Sequence, residues 1–353
     1  MKALVLAGGA GTRLRPLTHT TPKALVPVAN RPILHYVMDH IAAVGITDVG
    51  VIVSPRTGDQ IREALGDNAW GLDITFVVQE QPLGLAHTVV VAAEFLSDEP
   101  FLMVLSDNLI GEGVEGLVSR FSADGADAAV LLKEVADPTH FGVAVLDGDG
   151  LLSRVVEKPR EFVSNFVLVG AYCFSPAIHE AVRSIEPSWR GELEITDAIG
   201  YLIDRGRRVS AHRLEGWWMD CGNQADLLAA NRTVLSETVR LDIRGDVDGA
   251  SRLIGAVSVA DAAVVIESEL RGPTALAAGA QVRRSVLGPN TSVGEGCVIS
   301  DSRIEDCVIL AGATIEGVNG LEGSLIGRRA VLRGRPPGSA VRVMVGDDAE
   351  VLL

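Results

Sequence analysis

From Val259 onward apolar residues return every five or six positions, at Val259, Val265, Leu270, Leu276, Val282, Leu287, Val293, Ile299, Ile304, Ile309, Ile315, Leu321, Ile326 and Leu332. That spacing suits a left-handed parallel β-helix, in which each flat face takes one hexad and three faces complete a coil. Gly288 and Gly294 fit its corners. Hexad repeats often belong to acyltransferases, which use a histidine base. Here the last histidine is His212, before the repeats begin, and no lysine follows Lys158. The repeats are therefore read as structural, an oligomerisation surface or lid that contributes interface and packing rather than catalytic groups, since a stacked solenoid presents flat faces and ends that need capping.

The first two thirds of the chain follow a different rule. Strand and helix patterns alternate: Ala3 to Leu6 a strand, Pro32 in the first turn of a helix with an apolar stripe of Ile33, Leu34, Val37, Met38 and Ile41, and Gly45 ending it. Val49 to Val53 reads as a buried strand, Thr57 to Leu65 as a helix, Ile74 to Val78 as a strand, Leu85 to Leu96 as a helix and Phe101 to Leu105 as a strand. Such alternation implies an α/β, Rossmann-like, mostly parallel sheet with helices on both faces, and ligands in these sheets bind beyond the carboxyl ends of the strands. Three loops fall there: Gly8 to Arg13, Gln79 to Gly84, and Ser106-Asp107-Asn108.

The first of these loops carries chemistry on its face. LAGGAGTRLRPLTHTTPK runs from Leu6 to Lys23, and Gly8, Gly9 and Gly11 supply a stretch with few Cβ atoms, so backbone N–H groups can close around a phosphate chain. Arg13 and Lys23 add two cations able to converge on one anion. The loop is not a Walker A motif, since no Gly-Lys-Ser/Thr follows, and not GxGxxG, since Leu14 occupies the third glycine site. Lysine is scarce: Lys2, Lys23, Lys133 and Lys158 stand beside 27 arginines among 31 cations. Where lysine persists at a crowded phosphate a compact point charge is required, a reading that fits Lys23 and Lys158 only.

GGAGTRLRPLT followed by PKALVPVANRPIL resembles the signature of the sugar-1-phosphate nucleotidylyltransferases, and within them the long form of the glucose-1-phosphate thymidylyltransferases. Later segments resemble the family in order and spacing: Phe141-Gly142, opening a hairpin that turns at DGDG (147–150) and ends in Glu157-Lys158-Pro159; Arg190 to Asp197; and Trp218-Met219-Asp220-Cys221-Gly222. The resemblance implies in-line attack by a sugar phosphate oxygen on the α-phosphorus of a nucleoside triphosphate. That nucleophile is already ionised, so no general base is needed, and catalysis is positioning and charge neutralisation. By resemblance, Arg13 and Lys23 stabilise the departing pyrophosphate, and Leu6, Gly8, Gly9, Gly11 and Thr12 line the nucleotide. Asp107 and Asp220 hold Mg²⁺, Lys158 neutralises the attacking phosphate, Glu157 accepts from sugar hydroxyls, and Gly142 and Arg190 are further sugar-nucleotide contacts. The segment QEQPLGLAH (79–87) resembles the pyrimidine-type loop of the family. The Gln79 carboxamide offers a donor and an acceptor to the O4/N3 edge of thymine or uracil, Pro82 lies in the same loop, and Gly84 lets the backbone approach the base. The expected substrates are dTTP, or UTP, with glucose 1-phosphate.

Two positions depart from the family pattern: Ser106 where glycine is frequent, expected to tighten the room beside the nucleotide, and Cys221 where threonine is frequent. Mannose-1-phosphate guanylyltransferases share the opening motif, and a non-catalytic nucleotide-sugar-binding subunit is a further alternative, one expected to lack a phosphate cation or metal carboxylate. A nucleotidyltransferase domain over 1–237 and a β-helix over 238–353 are expected. With 46 acidic against 31 basic residues the net charge is −15, which argues against nucleic acid or an anionic membrane as partner. No apolar stretch approaches a membrane span and MKALVLAGG is too short for a signal peptide, so a cytoplasmic protein is expected; the flat faces of the solenoid lead to the expectation of a homo-oligomer associating through the β-helix. Cys173, Cys221, Cys297 and Cys307 show no metal-binding spacing and read for the most part as buried structural thiols.

Overall fold

The computed structural model describes residues 1–148, 150–334 and 340–353, so Asp149 of the DGDG turn lies outside the described residues. The chain divides into two compact units, residues 1–9 with 34–218, and residues 10–33 with 219–353. The glycine loop is thus where the backbone first passes from one unit to the other.

The first unit is built on a nine-stranded mixed sheet. Its centre is Lys2–Leu6, flanked in parallel by Phe101–Leu105 and by Asp48–Val53, with Asp73–Val78 parallel beyond the latter. This is the parallel half expected from the alternating pattern. Phe166–Phe174 runs antiparallel to Phe101–Leu105 and carries on the hairpin Gly142–Leu146 with Leu152–Glu157, and also the parallel pair Ala128–Glu134 with Val209–Arg213. Successive strand side chains point to opposite faces. Leu4, Leu6, Ile52, Phe101 and Met103 enter one cluster with Val89, Leu96, Ile178 and Ile199. Their neighbours Ala3, Val5, Val51, Leu102 and Val104 are equally buried. A sheet covered on both faces explains why these strands read as unbroken apolar runs.

Two helical readings need correction. Pro32 is not in the first helical turn: Ala29 and Asn30 both adopt positive φ, 49° and 64°, and fold Pro27–Val28 against Arg31–Pro32 as a two-residue ribbon before the helix Ile33–Ala43 begins. The expected helix from Leu85 to Leu96 is two, Leu85–Val91 and Ala93–Leu96, broken at Ala92. The break follows the run Thr88 to Val91, whose β-branched side chains crowd the preceding helical turn.

The second unit is dominated by a three-faced parallel β-helix of the left-handed, hexapeptide-like kind, with sheets of seven, seven and five short strands. All fourteen apolar residues of the sequence pattern point into its interior and visit the three sheets in strict rotation. Each is nearly or fully buried, and full burial of such a side chain contributes about 1.5–3 kcal/mol. Coils stack in register, as in Ser258 beside Ala275 beside Ser292. A second column, not anticipated from the apolar pattern, repeats at 17 residues. The Ser251, Ser268, Ser285 and Ser302 hydroxyls each accept an N–H from the next coil at 3.0–3.1 Å.

Before the β-helix comes the helix Gln224–Thr238, capped by Asn223, whose side chain accepts from Asp226 N at 3.0 Å. Within it Asn231 is fully buried. Its Oδ1 accepts from Ala29 N and from the Ser292 hydroxyl, and its Nδ2 donates to Asn290 O. Asn30 Nδ2 donates to Ala275 O. The segment 10–33 is thereby bonded to the coils, so the β-helix supports an inner loop as well as presenting outer faces.

Candidate active site

In the first unit, the carboxyl ends of the parallel strands converge on one cavity of about 240 Å³. Leu6 pairs in register with both Ile52 and Leu105, so the turns that follow these strands start level with one another. Seven of the expected residues line the cavity: Leu6, Gly8 and Gly9 from the first turn, Gln79, Pro82 and Gly84 from the second, and Asp107 from the third. Leu85, Thr88 and Glu192 complete its wall with Ile52 and Leu105.

Each polar group there is held by another. Asp107 Oδ1 accepts from Asn108 Nδ2 at 2.8 Å, and Asn108 Oδ1 in turn accepts from Trp218 Nε1 at 2.6 Å and from Gly170 N at 3.3 Å. Ser106 turns away from the expected direction: its buried hydroxyl donates to Leu6 O at 2.7 Å, tying two strand ends together instead of narrowing the cavity. The Gln79 amide nitrogen bonds Gly84 O at 3.3 Å and His87 Nδ1 at 3.0 Å. Its donor side is therefore engaged within the loop. Gly84 lines the same cavity and carries a further constraint. With φ 107°, a Cβ there would lie 2.4 Å from Leu193 O, so glycine is required by the backbone of Leu193, which bonds Leu83 and Ala86 on either side.

A second cluster in the same unit gathers Glu157, Lys158 and Arg190. Glu157 is paired with Gly142 across the hairpin. Its Oε1 lies 3.4 Å from both Lys158 Nζ and Arg190 Nη1, and its Oε2 accepts from the Thr196 hydroxyl at 3.2 Å. Arg190 also reaches Glu192 at 3.0 Å and Glu194 at 3.3 Å. Glu194 is almost wholly buried, and burial pushes its carboxyl above the usual range despite the Ser188 hydroxyl that donates to it. Lys158 holds a left-handed backbone, φ 39°, a conformation that costs a non-glycine residue about 1–3 kcal/mol and persists only where its surroundings impose it. Glu192, Glu194 and Thr196 were not singled out from the sequence, although all lie in the family-like segment 190–197.

The remaining expected residues, Gly11, Thr12, Arg13, Lys23 and Asp220, belong to the second unit. Gly11 is left-handed, φ 59°, with Thr18 and the Cβ of Lys23 packed against it, and the Thr18 hydroxyl donates to its carbonyl at 2.6 Å. Lys23 Nζ lies 3.6 Å from Asp220 Oδ1. Asp220 is also close to Arg13, since a Cβ on Gly222 would sit 3.0 Å from Arg13 Nη2 and 3.2 Å from Asp220 Oδ2. Beside them burial raises the Asp226 carboxyl, against the pull of Arg13 and Lys23. Cys221 is buried, as are the other three cysteines. Among the described residues no group of three or more His, Cys, Asp or Glu side chains gathers as a metal cage, and no helix is long and apolar enough to cross a membrane.

Lys2 and Lys133, to which the sequence assigns no role, each make specific contacts in the first unit. Lys133 Nζ donates to the carbonyls of Leu214, Glu215 and Gly216 at 3.2, 3.1 and 2.7 Å. Three donors on one tetrahedral nitrogen suit that convergence and a planar guanidinium does not. Lys2 Nζ donates to Phe95 O at 2.6 Å and lies 3.3 Å from Glu99.

Residues 2–237 match the family model described as nucleotidyl transferase. The chain belongs to the nucleotidyl transferase family. It is 51% identical over 354 residues to a glucose-1-phosphate thymidylyltransferase of Streptomyces antibioticus, covering 99% of each chain. To the enzyme of that name from Streptomyces griseus it is 49% identical over 349 residues, with 98% of each covered. Among solved structures it resembles UDP-glucose pyrophosphorylase complexed with UDP-glucose, with TM-score 0.61 and 25% identity over 67% of this chain and 98% of that one. The protein is a nucleotidyltransferase enzyme, and a sugar 1-phosphate and a nucleoside triphosphate are the substrates consistent with this family.

Proposed function

We propose that this nucleotidyltransferase transfers the thymidylyl group of dTTP to glucose 1-phosphate, giving dTDP-glucose and pyrophosphate. The observation that carries the reading is the single cavity at the strand ends, where Gln79, Gly8, Gly9 and Asp107 share one wall. Gln79 Oε1 accepts the N3–H of a pyrimidine, and Gly8 and Gly9 give the phosphate chain close access to backbone N–H groups. Glu157 and Arg190 hold the sugar, and Lys158 neutralises the phosphate whose oxygen attacks the α-phosphorus. Leu6, Pro82, Gly84 and Gly142 shape the two subsites, and Gly11, Thr12, Arg13 and Lys23 take the leaving pyrophosphate.

Asp107 and Asp220 offer hard carboxylate oxygens, the donor chemistry Mg²⁺ accepts alongside substrate phosphate oxygens and water. Both would hold the ion, which when bound neutralises charge on the triphosphate. The transferase segment is 1–237 and the β-helix segment 238–353, and the enzyme works as a cytoplasmic homo-oligomer assembled through the β-helix.

Pyrophosphate release measured across dTTP, UTP, GTP and ATP, each with several sugar phosphates, tests the assignment. The best pair is dTTP with glucose 1-phosphate, and UTP is weaker by roughly 10–200-fold, since one methyl is worth only about 1–3 kcal/mol. Preference for GTP with mannose 1-phosphate would overturn it.

A further inference from the structure

The loop that carries Arg13 and Lys23 has little regular structure of its own. Between residues 12 and 25 it forms three single turns, Thr12–Leu14, Leu17–His19 and Lys23–Leu25. Isolated turns of this type have poor hydrogen-bond geometry and do not fix a loop by themselves. Its placement therefore depends on what it is bonded to, and one partner is far away in sequence. Asp347, just beyond the strand Met344–Val345 of the last coil, accepts at Oδ2 from the Thr20 hydroxyl at 2.6 Å and from the Thr21 hydroxyl at 3.2 Å. Its other oxygen accepts from Arg328 N at 2.7 Å, which anchors it to the preceding coil. Next to it Gly346 packs on the loop, where an added Cβ would meet Pro16 Cβ at 3.1 Å. Hydrogen bonds to a carboxylate are roughly twice as strong as neutral ones. They seize the loop at Thr20 and Thr21, between the two cations and two residues before Lys23.

We propose that Asp347 is a positioning residue for nucleotidyl transfer: the last coil of the β-helix sets the loop so that Arg13 and Lys23 meet the triphosphate. Asp347 touches no substrate, and its effect falls on the nucleotide half of the reaction. The inference rests on the reading that Arg13 and Lys23 hold the triphosphate end.

Steady-state kinetics of the full chain tests it. In Asp347→Ala the KM for dTTP rises about tenfold, the scale of one lost hydrogen bond to a charged group, while the KM for glucose 1-phosphate stays within about twofold. Asp347→Asn, which still offers an acceptor to the hydroxyls, recovers most of the loss. The pair Thr20→Val with Thr21→Val, which leaves the coil intact, reproduces the Asp347→Ala effect, and adding Asp347→Ala to that pair costs little more, as expected of partners in one contact. Equal rises in both KM values, or no rise in either, would overturn the proposal. If Asp347→Ala does not fold, as judged by circular dichroism, the threonine pair carries the same test. Arg13→Ala and Lys23→Ala separate the two ideas. Should both leave dTTP use intact, the triphosphate reading itself falls; should both impair it while Asp347→Ala and the threonine pair do not, only the role of Asp347 falls.

Discussion

The sheet of the first unit and the β-helix of the second bury apolar residues by opposite strategies. In the β-helix one rule is applied fourteen times: a Val, Leu or Ile at every fifth or sixth position enters a shared interior, and the three faces take turns. In the sheet the turns after the strands differ from one another, and Gln79 and Asp107, each from a different turn, line one cavity. The lesson is that repetition specifies shape, and single-copy irregularity specifies chemistry. Damage to the first should lower stability and spare turnover, and damage to the second should do the reverse.

The sharpest way to break that contrast is at the carboxylates. Replacing Asp107 or Asp220 by Asn is expected to lower kcat by about 10²-fold or more, because a bound ion supplies several kcal/mol of charge stabilisation, while the melting temperature moves little. Turnover like that of the unaltered enzyme in either variant would remove that residue from the proposed metal site. The converse test is Ile299→Ala, in the middle of the β-helix and fully buried. It should cost about 2–5 kcal/mol in denaturant unfolding, the range for such truncations, with kcat unchanged at a temperature where the variant is folded. Loss of kcat in the folded variant would mean that the packing of the coil interior, and not only the contact made by Asp347, bears on turnover.

How legible each region was depends on the same contrast. The fourteen hexad residues were all placed correctly because a periodic signal is averaged over many turns, and the parallel strands were found because each is a continuous apolar run. What escaped was set by single contacts between residues distant in sequence. Nothing in the local sequence of Ser106 says that its hydroxyl reaches Leu6 O. Nothing near Gly84 announces Leu193, whose backbone excludes any side chain there. The bond from Gln79 to His87 is the exception, spanning only eight residues within the segment 79–87, and there it is the fold of the loop that fixes which side of the carboxamide is engaged. Lysine scarcity marks Lys133 without showing its reason, which is that three carbonyls from 214–216 converge on it.

That residue gives a smaller test of the contrast. Lys133→Met should destabilise by about 1.5–3 kcal/mol, as for lost bonds to a charged group. Because the loop it holds runs directly into Trp218, whose indole bonds Asn108 beside Asp107, the Mg²⁺ concentration for half-maximal rate should rise as well. A stability change with no shift in the Mg²⁺ dependence of the rate, or with no such dependence, would confine Lys133 to a structural role. The smallest effect is expected from the thiols. Burial pushes Cys297 up to about 11 and Cys307 up to about 12, so at pH 8 both stay protonated and poorly nucleophilic. A thiol-disulfide reagent should label them no faster than the native protein opens, and rapid labelling would show that the coils breathe.

The regular coil also works as a ruler. Neighbouring strands of a sheet lie about 4.8 Å apart, so every 17-residue turn that is added or removed moves the later coils by that fixed step. Asp347 meets Thr20 at 2.6 Å, a reach with no room for an error of one step. Excising a whole coil, such as 282–298, would leave a well-formed solenoid whose terminal carboxylate stops short of its partner. The number of coils in this chain is then a measured length, and a relative with one coil more or fewer would need a different end to reach the same loop.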